Sequence, residues 1–87
     1  MVFYLVKYYA LGEEVVVGVF SNFPEALKYA CRLWERSREG VGFRVRFLGG
    51  LWRGVRINEW FIPTKEVLGR EVSGVVITEL REGTLLE

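Results

Sequence analysis

The 87 residues include no histidine, no aspartate and no glutamine, and only one cysteine and one methionine. Without His or Asp there is no Ser-His-Asp or Cys-His catalytic arrangement, no HExxH pair, no Cys/His zinc cluster and no EF-hand loop. Neither a GxxxxGK[ST] nor a GxGxxG phosphate loop occurs. Carboxylate chemistry would rest on Glu alone, and Glu13 and Glu14 fall in a turn, where a solvated surface is the simpler reading. The composition therefore argues against an enzyme and calls for no cofactor and no metal. A lone cysteine excludes an internal disulfide, and the place of Cys31 on an apolar helix stripe marks it as a buried rather than a reactive thiol.

No apolar run approaches the roughly 20 residues of a membrane span. Val2 to Val6 is apolar but lacks a basic leader and a small-residue cleavage site, which argues for a cytoplasmic chain. Asparagine occurs only at 22 and 58, every acid is Glu, and Arg outnumbers Lys nine to three. Few heat-labile side chains beside abundant Glu and Arg resemble the composition of heat-adapted proteins.

With 51% hydrophobic and 15% aromatic residues the chain is too apolar for disorder. Its length suits one α+β domain over residues 1–80, with a frayed tail at 81–87. The clearest local signal is the stretch from Val19 to Ala26, VFSNFPEA. Asn22 predicts an N-cap, Glu25 three residues on completes a capping box, and Pro24 fits a first turn whose N–H groups have no internal partner. Phe23, Leu27, Ala30, Cys31 and Trp34 then recur at helical spacing. Gly40 predicts a left-handed stop just past a basic last turn.

Before the helix, Val2 to Tyr9 and Glu14 to Phe20 are rich in β-branched and aromatic residues and read as a hairpin turned at Gly12. Val2, Tyr4, Val6 and Tyr8 oppose Phe3, Leu5 and Tyr9, so both faces of this sheet need cover. After the helix, Val41 to Leu48 alternates, with Phe43, Val45 and Phe47 against Arg44 and Arg46. Residues 49–54 carry three glycines and read as a loop. Val55 to Ile62 follows as a strand that Pro63 ends, with Thr64 capping a short turn before Gly69. Val72 to Leu80 is the last strand.

The order is β-β-α-β-β-β, one helix packed on an antiparallel sheet. One helix covers one sheet face. A homodimer pairing sheet faces or edge strands is the simplest cover for the other, and barrel-like closure within one chain is the alternative.

Net charge is +1, unevenly placed: −1 over residues 1–31, +5 over 32–56 and −3 over 57–87. Arg44, Arg46, Arg53 and Arg56, with Trp52 and Trp60, form a candidate binding ribbon, able to grip phosphates and stack on bases or to anchor a protein partner. The plainer alternative pairs these arginines with Glu66, Glu71 or Glu79 across a solvated sheet face. Glu59, between Ile57 and Phe61, is an acid on an apolar strand face. It is expected to be paired with an Arg or to lie at a sheet edge, and an enzyme would need a pocket there with a tyrosine or arginine nearby.

Phe20, Ser21, Glu25 and Ala26, with Ile57 and Glu59 in a late strand, resemble a group of short prokaryotic and phage proteins of unknown function. Those share a hairpin, an FSxxxEA junction and an IxE strand. The resemblance covers the first two-thirds of the chain and implies an arrangement of elements, not an activity. Phe3-Tyr4, Gly18-Val19-Phe20 and Glu25 are also similar to the viroplasmin-like hybrid-binding domain of ribonucleases H, although Phe23 stands where that pattern has Trp. The hairpin-then-helix order is similar to the arm-binding domain of phage integrases. Taken together, the sequence predicts a small non-enzymatic interaction protein of a thermophilic prokaryote or its virus, with a nucleic-acid-binding module as the alternative.

Overall fold

Asn22 turns the chain from strand into helix: it is extended at φ −143° and its side chain accepts a hydrogen bond from the Glu25 N–H at 2.9 Å. The computed structural model describes residues 1–52 and 54–81, Trp52 by its backbone alone. Its elements are β1 (Val2–Ala10), β2 (Glu13–Phe20), α1 (Phe23–Ser37), β3 (Arg46–Trp52), β4 (Val55–Val67) and β5 (Arg70–Arg81). This is the expected order, one helix on a five-stranded antiparallel sheet.

The strand order is β2-β1-β5-β4-β3, so the last strand lies between the two hairpins. Helix α1 connects one edge strand to the other and covers one face on the way. Ala26 and Ala30 are fully buried, and the absence of bulk at both positions lets the helix approach Val6, Ile62, Val75 and Ile77 closely. Ala26 was not on the expected stripe, whereas Cys31, which was, is only half-buried. Burial, reinforced by Glu35, raises the pKa of its thiol. Trp34 anchors the helix end, its Nε1–H donating to the Pro63 carbonyl at 3.0 Å within the core.

The sequence misplaces several features. The helix ends at Ser37, with Arg38 extended and its N–H donating to the Trp34 carbonyl at 2.9 Å; Gly40 is left-handed at φ +70° but lies beyond the cap. The alternating stretch 41–45 joins no strand. Val41 is buried and Phe43 packs edge-on against Trp34 at 4.9 Å, so its periodicity serves packing on the helix end. The glycines read as a loop are instead in β3, Gly49 opposite Asn58 and Gly50 opposite Ile57, and only residues 53 and 54 separate β3 from β4.

Pro63 does not end its strand. Pairing with β3 stops at Arg46–Phe61, so beyond that point a residue lacking an N–H removes nothing from that ladder. Strand β4 continues to Val67 with register shifts on either side of Lys65. Thr64 is no cap: it is buried within β4, its hydroxyl 2.8 Å from that of Ser73, and its carbonyl accepts from the Glu39 N–H at 2.7 Å. Of the expected tail, Arg81 is the last residue of β5, opposite Val2, and residues 82–87 lie outside the described residues.

Two hairpins turn at Leu-Gly pairs with both residues left-handed, Leu11 at φ +55° with Gly12 at +80°, and Leu68 at +53° with Gly69 at +80°. This is the twist-matched two-residue geometry, in which leucine is strained and asparagine is not. Replacing Leu11 and Leu68 by Asn should raise stability by about 0.5 to 1 kcal/mol each in denaturant unfolding, since both side chains are almost fully exposed. Trp34→Ala should cost about 3 to 5 kcal/mol by the same measurement, and a loss below about 1 kcal/mol would show that the helix rests on other contacts.

Candidate binding face

The sheet face away from α1 is not flat. Val16 of edge strand β2 and Gly50 of edge strand β3 line one cavity, so the sheet bends until its two edges flank a trough. Ile57, Phe61, Val76 and Leu80 lie on this face at 9% exposure or less although no helix covers it. The bend provides much of the second cover that the sequence called for, and the sheet remains open, with β2 and β3 as its edges.

Glu59 lies at the middle of the trough. It is neither at a sheet edge nor paired with arginine: its Oε2 accepts from the Thr78 hydroxyl at 2.6 Å and from Lys7 Nζ at 3.4 Å. Lys7 also bridges to Glu14 at 3.3 Å. Two cavities, of about 370 and 420 Å³, share Glu14 and Glu59 in their walls. The first is lined by Tyr9 and Arg46, with the Arg46 guanidinium 5.4 Å from the centre of the Phe61 ring; the second is lined by Leu5, Ile57 and Leu80. Lys7 and Thr78 were missed in the sequence, and Glu14, read there with Glu13 as a solvated turn residue, lies in β2 and bridges to Lys7. The available signal was Lys7, the single charged residue of VFYLVKYY, on the same strand parity as Leu5 and Tyr9.

The expected arginine ribbon is divided by the same parity. Arg46 pairs with Phe61 on the trough side, whereas Arg56 belongs with Asn58 and Trp60 on the helix side. Arg44 and Arg46 are held by carboxylates: Arg44 bonds Glu66 and, at 2.9 Å, Glu71, and Arg46 reaches Glu71 at 2.7 Å. Trp60 is half-buried between Phe23 at 4.7 Å and Phe47 at 5.6 Å. Arg56 is exposed, and Arg53 and the Trp52 side chain lie outside the described residues. Among the described residues no group of three or more acidic or cysteine side chains is placed to hold a metal, and no helix is long and apolar enough to cross a membrane.

A second surface lies along β2. Val15, Val16, Val17 and Val19 are between 38% and 60% exposed on a strand whose outer side pairs with no described strand. An exposed valine-rich edge is a template for another strand, and this one carries neither Lys nor Pro to block pairing. Its one irregularity is the bulge that leaves Val17 unpaired between Val16 and Gly18.

Comparison with known protein families, curated proteins and solved structures finds no match.

The Glu71 carboxyl is held below the usual glutamate range, chiefly by its hydrogen bond to Arg44 and with help from Arg46, against the opposing effect of burial. A depressed folded-state pKa contributes stability above the unfolded value that disappears as pH falls through the folded one. Unfolding by denaturant between about pH 7 and about pH 3 should therefore show an acid-side loss of stability that is shallower in Arg44→Ala.

Proposed function

We propose that the chain is a non-enzymatic, cytoplasmic interaction protein that works through protein–protein contacts, with a second copy of itself as the first partner. The observation that carries this reading is the valine edge of β2, where unpaired backbone and apolar side chains are exposed together. Antiparallel self-pairing is the arrangement it favours. Glu13 and Glu14 occupy one end of the strand, and a two-fold axis sets each acidic end beside the uncharged end of the other copy, whereas parallel pairing would stack the acids. The Glu- and Arg-rich composition and the FSxxxEA resemblance support a source in a heat-adapted prokaryote or its virus.

The trough does not support catalysis as well as it supports binding. Thr78 and Lys7 both address the same oxygen of Glu59, which makes the carboxylate a fixed acceptor. A nucleic-acid interface has less support than a protein one. Arg44 and Arg46 spend their charge on Glu66 and Glu71, and Arg56 lies on the opposite face.

Light scattering of the purified protein over a range of concentrations should give the mass of two chains. Val15→Lys combined with Val19→Lys should return one folded chain whose melting temperature, unlike that of the wild type, does not rise with protein concentration. A wild-type chain that stays monomeric up to roughly 100 μM, a free energy near 5.5 kcal/mol, would overturn self-association. A complex with a mixed nucleic-acid pool that dissociates steeply with salt and is lost in the Arg44→Glu, Arg46→Glu variant would replace this reading with the nucleic-acid one.

A further inference from the structure

We propose that the trough is a binding site for a small primary amine with an apolar body, whose ammonium group is received by Glu59. The inference does not depend on self-association, because every residue it uses belongs to one chain.

The charges at the centre of the trough do not cancel. Lys7 is shared between Glu14 and Glu59, at 3.3 and 3.4 Å, so two carboxylates face one ammonium and leave one negative charge in excess. The neighbouring set at the trough end, Arg44 and Arg46 with Glu66 and Glu71, is balanced. The side chains of Lys7 and Glu59 are only 14% and 25% exposed. Charges withdrawn this far from water cost desolvation free energy that apolar residues at the same positions would not. Stability alone therefore does not account for them.

Glu59 also has spare capacity. The Thr78 hydroxyl and Lys7 both address Oε2, and Oε1 receives no hydrogen bond from any described residue. Among the described residues no fully buried side-chain oxygen is left without a partner, so Oε1 is reachable from outside, on a residue that lines both cavities. Apolar walls stand around it, with Leu5, Ile57 and Leu80 on one side and Phe61 and Val76 on the other.

The complement of this site is one positive charge on an apolar stem. An anion is disfavoured because Lys7 is already engaged by two carboxylates, and a neutral apolar molecule would leave the excess charge without a counter-ion. A primary ammonium supplies both the charge and a donor for Oε1, a charge-assisted bond stronger than a neutral one. Cavities of about 370 and 420 Å³ are the size of small-molecule pockets.

The test is a titration of the isotope-labelled full chain, followed by amide chemical shifts, with 2-phenylethylamine as probe and 2-phenylethanol as its neutral counterpart. The amine should shift Lys7, Glu59, Thr78 and Leu80 and bind at least about tenfold more tightly than the alcohol. Glu59→Gln should remove that preference, while Arg56→Ala, on the opposite face, should leave it intact. Equal affinities of amine and alcohol for the wild-type protein would overturn the proposal whether or not the Glu59 variant folds. So would shifts confined to β2 or to the helix side.

Discussion

A single helix of 15 residues has to cover a sheet of five strands, and it can cover only one face. That constraint organises the molecule. On the covered side, Ala26 and Ala30 bring the helix down onto Val6, Ile62, Val75 and Ile77, and Trp34 fixes its end to the Pro63 carbonyl. On the other side the sheet must shelter itself, and it does so by bending. Gly74 belongs to that solution: a Cβ there would lie 2.5 Å from the Phe61 ring, so the missing side chain is what lets Phe61 lie down across the strands.

Bending a sheet over charged residues produces something that a second helix would not. A covering helix would have brought its own apolar stripe and excluded Lys7, Glu14 and Glu59 from that face or forced them to be neutralised. A trough keeps them half-withdrawn from water yet reachable. The carboxylates at its end have a different part. Glu66 and Glu71 tie Arg44 and Arg46 to the β4–β5 hairpin, holding in place the stretch 41–45, which no ladder secures.

What was legible in the sequence follows the range of the interactions responsible. The cap at Asn22, the helix stripe through Trp34 and the turn at Gly12 are set by neighbours a few residues apart, and they stand where local chemistry put them. The fold class and element order were readable for the same reason. The insertion of β5 between β1 and β4 was not, because strand order is decided by contacts distant in sequence. Local cues misled where tertiary context outweighed them: Pro63 sits beyond the end of the β3 ladder, and Gly49 and Gly50 are accommodated in an edge strand. The candidate site was legible only in part. Glu59 stood out by its parity, but its true partners, Lys7 and Thr78, are 52 and 19 residues away. The arginine ribbon looked continuous because a list of charges does not show that Arg46 and Arg56 project from opposite sides of one hairpin.

The position of β5 also bears on how the protein is made. The strand that carries the centre of the sheet follows the other four in the chain. Until Arg70 onward has emerged, the nascent chain holds two hairpins with no common strand, and Val6 and Ile62 have no β5 between them to complete their cover. The sheet therefore cannot close until β5 has been made, and a chain cut before Arg70 would hold two unsatisfied sheet edges rather than a smaller version of the domain.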